Sequence, residues 1–133
     1  LVGSYGDDVT FSNQGSFSTY HYDGMNWQFI QKITEPNGAL DDYFARSISI
    51  AGNYALIGCP YDDNNNLVDC GSIFLYQKVG IGWQKMQYIV DPGADSNNYF
   101  GRSSAIDANS KRFIIGASGF FNYQGKVIFG KIN

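Results

Sequence analysis

The chain has little that would support a membrane span, a nucleic-acid surface or a catalytic centre. No apolar run reaches the ~18 residues that cross a bilayer, so no direct membrane contact is expected. Charge is scarce and slightly negative, nine Lys and Arg against twelve Asp and Glu in 133 residues, net −3. That balance disfavours the phosphate backbone of nucleic acid as a partner. The single histidine, His21, has no Ser, Cys or second His in a triad-like pattern. No paired carboxylates belong to a distinct pocket motif, so nothing points to catalysis or to a cofactor. Helix formers are few, and no stretch shows a convincing 3.6-residue period. The opening Leu1-Val2-Gly3-Ser4 lacks a basic n-region and an initiator Met, so it does not read as a signal peptide. A signal already removed and an origin in a longer chain both fit this start.

What is present is glycine, aromatic residues and repetition. Sixteen glycines and 17% aromatics suit short strands joined by tight turns. Three short apolar runs end at a glycine, as Leu1-Val2-Gly3, Leu56-Ile57-Gly58 and Ile114-Ile115-Gly116, with glycine offsets of 55 and 58. After a polar loop, Gly15, Gly71 and Gly125 open the next strand, 56 and 54 apart. Trp27 and Trp83 are 56 apart, as are the stretches Glu35-Pro36 to Tyr43-Phe44 and Asp91-Pro92 to Tyr99-Phe100. A period of this length means one supersecondary unit used several times. A length of 133 residues would ordinarily mean one domain.

The middle copy predicts four strands: Arg46–Ala51, Tyr54–Cys59, Gly71–Lys78 and Trp83–Val90. Gly52-Asn53 makes a two-residue hairpin turn between the first two, and Gly80-Ile81-Gly82 turns between the last two. The first copy supplies only strands two to four (Leu1–Ser4, Gly15–Tyr22, Trp27–Thr34). The last supplies strands one to three (Arg102–Asp107, Arg112–Ala117, Gly125–Ile132). The expected fold is therefore all-β, a partial β-propeller of repeated four-stranded antiparallel meanders, with ten strands in about two and a half blades. Its units are an incomplete blade at 1–34 lacking strand one, a complete blade at 35–90, and an incomplete blade at 91–133 lacking strand four. Such a chain does not close a ring alone. Further blades are expected from the same polypeptide or from other copies.

Several short motifs recur in register. Phe100-Gly101 and the variant Phe44-Ala45 open the first strand. Gly3-Ser4-Tyr5, Gly58-Cys59-Pro60 and Gly116-Ala117-Ser118 close the second. Gly71-Ser72-Ile73-Phe74-Leu75-Tyr76 supplies the Gly-x-x-aromatic strand that follows. Over nearly its whole length the chain resembles the FG-GAP repeat of the integrin alpha-chain propeller and its relatives. The resemblance implies a ring of seven repeats that binds protein or glycan ligands, in an extracellular or luminal setting. Calcium-binding members carry an Asp-x-Asp-x-Asp-Gly run between strands one and two. Here those links are Gly52-Asn53 and Ala108-Asn109-Ser110-Lys111, with only Asp107 nearby. One carboxylate does not supply six to eight oxygen ligands, so no metal site is carried over.

The links from strand two to three, and from strand four to the next unit, emerge together. They carry ten of the twelve acidic residues and no Lys or Arg. The candidate binding residues there are Asp7, Asp8, Tyr61, Asp62, Asp63, Asp69, Phe120, Phe121 and Tyr123. Carboxylates steer a cationic or polar partner and aromatic rings anchor it. Asp and Asn also simply make good solvated turns, and both readings stand at this stage. The run Asp62–Asn66 with Asp69 is either an oxygen-ligand cation loop or a plain polar loop. Cys59 ends a strand and Cys70 precedes the next. Aligned copies place such positions side by side, so a disulfide is expected, with unlinked thiols as the alternative. Arg46 and Arg102 recur two residues after the Phe and are expected to hydrogen-bond between blades, while Trp27 and Trp83 should be packing residues. The function expected is a non-catalytic binding module for a protein or glycan. A structural or assembly segment and a lectin are the alternatives.

Overall fold

The computed structural model describes all 133 residues. It contains ten strands: β1 (Val2–Ser4), β2 (Ser16–Tyr22), β3 (Trp27–Thr34), β4 (Ser47–Ala51), β5 (Tyr54–Cys59), β6 (Ser72–Val79), β7 (Gly82–Ile89), β8 (Phe100–Asp107), β9 (Arg112–Ala117) and β10 (Lys126–Lys131). They form three antiparallel meanders, β1-β2-β3, β4-β5-β6-β7 and β8-β9-β10. The chain is all-β, and its sheets are partial propeller blades. One short element departs from this, a four-residue turn of helix, α1 (Phe120–Tyr123), in which Phe121 and Asn122 have left-handed φ of 46° and 54°.

The hairpin chemistry explains the register. Ala51 pairs with Tyr54 across Gly52-Asn53, and Gly52 takes a φ of +55° that a side chain would resist. Val79 pairs with Gly82 across Gly80-Ile81. A bulge interrupts β2-β3 at Thr19/Tyr20 and β6-β7 at Leu75/Tyr76, the same position in each unit. The extra residue adds local twist.

Alternation in the middle sheet is apolar on both faces. Ala55, Ile57, Cys59, Phe74, Tyr76 and Trp83 pack with Phe17, Phe44 and Ala45 in one core. Leu56, Ile73 and Leu75 point the other way, into a second core with Phe100, Phe113, Ile115 and Ala117. Two cores thus lie between three sheets, one at each junction. Phe44 and Phe100 are fully buried, one in each core.

The strand-two glycines permit the close approach at each junction. A Cβ on Gly3 would collide with the carbonyl oxygen of Ala45, and one on Gly58 with that of Gly101. The strand-three glycines do the same for Phe44 and Phe100, each of which forms a parallel bridge, to Gly15 and Gly71. The junctions are closed by ion pairs. Glu35, after β3, is paired to Lys85 of the next sheet at 2.8 Å, and Asp91, after β7, to Lys126 of the next at 2.7 Å. Both acids are nearly fully buried. The expected bridging arginines act differently. The Arg46 guanidinium lies 4.8 Å over the Tyr5 ring of the preceding sheet, and Arg102 lies 5.8 Å over Tyr99 of its own unit. Stacking, not hydrogen bonding, is their contact.

The expected disulfide is not formed. Cys59 and Cys70 are both buried free thiols. The cross-strand partner of Cys59 is Ser72, the residue after the strand-opening glycine. Cys70 precedes that glycine. The same register recurs as Ser4 with Ser16 and Ala117 with Lys126. The Cys59 thiol donates to the Asp42 carbonyl at 3.2 Å, whereas Cys70 turns toward the carbonyls of Asp62 and Asn64. Burial raises the pKa of both thiols.

Candidate functional site: the loop edge

The long links gather at one edge of the three sheets. Their backbones interlock. Asp41, Tyr43 and Phe44 donate their amides to the carbonyls of Ser12, Asn13 and Gln14, at 3.0, 3.0 and 2.9 Å. Asn97, Tyr99 and Phe100 do the same to Val68, Asp69 and Cys70, at 2.8, 3.1 and 3.0 Å. Held this way, Tyr43 and Tyr99 adopt φ of 52° and 53°. That conformation is costly for a bulky side chain and persists only where its surroundings impose it.

The reward of that strain is a row of tyrosines. Tyr5, Tyr43, Tyr61 and Tyr99 follow one another with ring centroids 6.1, 5.1 and 5.2 Å apart. The row crosses both junctions. Tyr61 belongs to the expected set, but Tyr43 and Tyr99 do not. The signal for them was present in the Tyr-Phe pair that recurs 56 residues apart.

Carboxylates flank the row. Beside it lies a cavity of about 360 Å³ lined by Glu35, Asp42, Asp62, Asp63, Lys85 and Tyr88 among others. Asp42 is only 3% exposed, and burial, reinforced by Asp62, Asp63 and Asp69, pushes its pKa up to about 6. Burial also raises Asp62, which accepts the Tyr88 hydroxyl at 2.8 Å. Asp69 is raised by burial and by Asp63 and Asp41. Asp63 is exposed and accepts the Asp69 amide at 2.8 Å. No group of three His, Cys, Asp or Glu side chains is placed to hold a metal ion, and the Asp62–Asp69 loop is laced by hydrogen bonds from the Asp69 amide to Asp63 and between the backbones of Asn64 and Leu67.

Other predicted residues divide. Tyr61, Asp62, Asp63 and Asp69 come together as expected. Asp7 is engaged within the chain: Lys32 sits 2.6 Å away, and Ser16 donates to it, holding its carboxyl below the usual range. Asp8 caps the Asn13 amide at 2.7 Å and is exposed. The Phe120-Phe121 pair is split. Phe120 packs against the second core with the Lys126 ammonium 4.8 Å from its ring. Phe121 and Tyr123 are 62% and 76% exposed. These two line a second cleft, about 490 Å³, with Asp95, Asn97 and Asn98. Asn98 is 1% exposed and its Nδ2 has no partner. A buried donor left unpaired is costly.

No helix of the structure is long and apolar enough to cross a membrane. Comparison with curated proteins finds no match. A protein-family model, the FG-GAP repeat, matches residues 27–76. That span runs from β3 through β4 and β5 into β6, so it includes the whole link that carries Tyr43, Phe44 and Asp42. Residues 27–76, with the buried Phe44 that bridges to Gly15 across the junction of the first two blades, are similar to an FG-GAP repeat.

Proposed function

We propose that this chain is a non-catalytic binding module of an integrin-like FG-GAP propeller, extracellular or luminal, that presents its loop edge to a protein or glycan. The observation that supports this reading is the tyrosine row Tyr5-Tyr43-Tyr61-Tyr99 with Asp62 and Asp63 beside it. Flat rings offer apolar area at low entropic cost, while carboxylates accept from hydroxyl, ammonium or guanidinium donors. Tyr43 and Tyr99 stand on backbone locked by junction hydrogen bonds, so little ordering of those two rings is needed on binding.

The test uses a glycan array and a library of short peptides carrying Arg and aromatic residues, probed with the chain and with two variants. Asp62→Asn with Asp63→Asn should weaken peptide binding and flatten its salt dependence, with a folding effect near 0.5 kcal/mol or less for exposed Asp63. Tyr61→Ala should weaken both peptide and glycan binding. If no probe binds the parent chain better than the variants, the loop edge is a structural seam and the binding role falls.

A further inference from the structure

The links of the loop edge are rich in carboxylates, yet the two arginines that border them pair with none. Arg46 and Arg102 are exposed, and all three ion pairs of the chain are made by lysines. Each guanidinium instead lies over a member of the tyrosine row, Arg46 at 4.8 Å from Tyr5 and Arg102 at 5.8 Å from Tyr99. A clasp between sheets does not account for both. Tyr61 stands 56 residues after Tyr5, as Arg102 does after Arg46, but Arg102 leaves Tyr61 for the ring of its own unit. What the two copies share is place, not contact. Their backbones are fixed. The Arg46 amide donates to the Tyr43 and Gly58 carbonyls, both at 3.1 Å, and the Arg102 amide to the Tyr99 carbonyl at 3.2 Å. The Ser47 hydroxyl donates to the Gly101 carbonyl at 2.7 Å, so the two arginines flank one hydrogen bond across the second junction. The acids gather elsewhere. Asp42, Asp62 and Asp63 line their cavity with Lys85 and Tyr88 of β7, whereas Arg46 adjoins β4, the opposite edge strand of the same sheet. Asp42 and Asp69 are raised by burial first and then by neighbouring carboxylates. The edge is thus divided by sign.

We infer that Arg46 and Arg102 form a subsite for one carboxylate of an acidic sugar, a uronic or sialic acid unit of a glycan, whose ring lies along the tyrosine row. The inference rests on the glycan reading of the proposed function and names its ligand class. A guanidinium is a planar fork that matches a carboxylate in two parallel hydrogen bonds. Stacking on a tyrosine ring orients that fork and leaves its N–H donors to an incoming group. The neighbouring acids decide which anion fits. A polyanion, whether nucleic acid or a run of acidic side chains, brings further negative charge against Asp62, Asp63 and Asp69. A sugar acid brings a single carboxylate. Its hydroxyls donate to the exposed Asp63, and its apolar ring face packs on tyrosine. It therefore satisfies both signs of the divided edge at once.

The test is an NMR titration of the full ¹⁵N-labelled chain with sialyllactose and with a glucuronate disaccharide, each beside its own carboxyl methyl ester. The ester keeps the sugar and removes the charge. Saturable shifts are expected at the amides of Arg46, Ser47 and Arg102 with one of the two acids, which should bind about tenfold more tightly than its ester. Arg46→Gln and Arg102→Gln should each abolish that preference, and Arg102→Lys should restore only part of it. Arg102 stacks within its own unit, so its variants keep the test decisive if Arg46→Gln disturbs the first junction. Acid and ester binding equally, or a preference that survives both Gln variants, overturns the subsite. Ester binding that Tyr61→Ala weakens would, in that case, leave the wider binding role standing. A tripeptide with a central aspartate that matches the sugar acid in affinity and in dependence on both arginines overturns the saccharide. No shift with either acid at millimolar concentration overturns the inference outright, while peptide probes still decide the wider role.

Discussion

Trp83 and Trp27 hold the same place in consecutive sheets, yet one is 8% exposed and the other 70%. Leu75 and Phe129 form another such pair, at 1% and 79%. The residue types are equally apolar and the local backbones are alike. What differs is the neighbour: the middle sheet has one on each face, the outer sheets on one face only. Burial in this fold is a property of the junction, not of the strand. Contiguous exposed apolar area of that kind marks an interaction surface, and it appears here at both ends.

The sharpest way to break this comparison is to remove the same apolar bulk at a junction and at an open face. Phe44→Ala should cost about 3–5 kcal/mol through lost transfer and a cavity spanning two sheets. Phe129→Ala should stay within about 0.5 kcal/mol. Urea denaturation followed by far-ultraviolet circular dichroism measures both, and similar losses would refute a junction-based core.

The glycines sharpen it further. Gly58→Ala drives a methyl into the Gly101 carbonyl, so a loss of about 1–3 kcal/mol is expected from overpacking across the junction. Gly116→Ala meets only the Ser103 hydroxyl, 2.6 Å from the new carbon, which rotates away. A smaller loss in the same denaturation assay is expected, and equal losses would show that the glycines serve backbone conformation alone.

Asp42 makes the first junction sensitive to pH. Its folded pKa, near 6, lies above the ordinary carboxylate value of 3.8, so the native state holds more protons than the unfolded one between those limits. Stability contributed by this group is therefore greatest at low pH and falls as pH rises from about 4 to about 6, by roughly 2 kcal/mol. Asn98 occupies the equivalent place in the second junction and does not titrate. Melting curves across that range should flatten in Asp42→Asn, and an unchanged slope would remove Asp42 as the cause.

The smallest effect at a junction should come from the ion pairs. Asp91→Asn strands Lys126, whose side chain is 29% exposed, so water offsets part of the loss and about 1–2 kcal/mol is expected. Glu35→Gln should match it, because Lys85 is 40% exposed. Destabilisation that survives 1 M salt would indicate that desolvated hydrogen bonding, and not Coulomb attraction, holds the junction.

Ten strands and their order were legible in the sequence, with ends placed within two residues, because period-two alternation, two-residue turns and repeated glycines are local signals. The two apolar faces of the middle sheet follow from Ile73 and Leu75 alternating with Phe74 and Tyr76. The Asp62-Asp63 cluster was legible as a loop edge, because its residues are adjacent in the chain. The tyrosine row was not, since Tyr5, Tyr43, Tyr61 and Tyr99 become neighbours only when four links of the three units come together. The ion pair of Asp7 was not legible for a similar reason: its partner Lys32 lies on a strand 25 residues away. The disulfide failed on register, because spacing brings Cys59 and Cys70 close along the chain but the hydrogen-bond ladder pairs Cys59 with Ser72. Sequence alone therefore determined the unit and its repetition, which are matters of local backbone chemistry. Tertiary structure alone decided which apolar faces are covered, which acids find a lysine and which thiols meet, because each depends on how one sheet seats against the next.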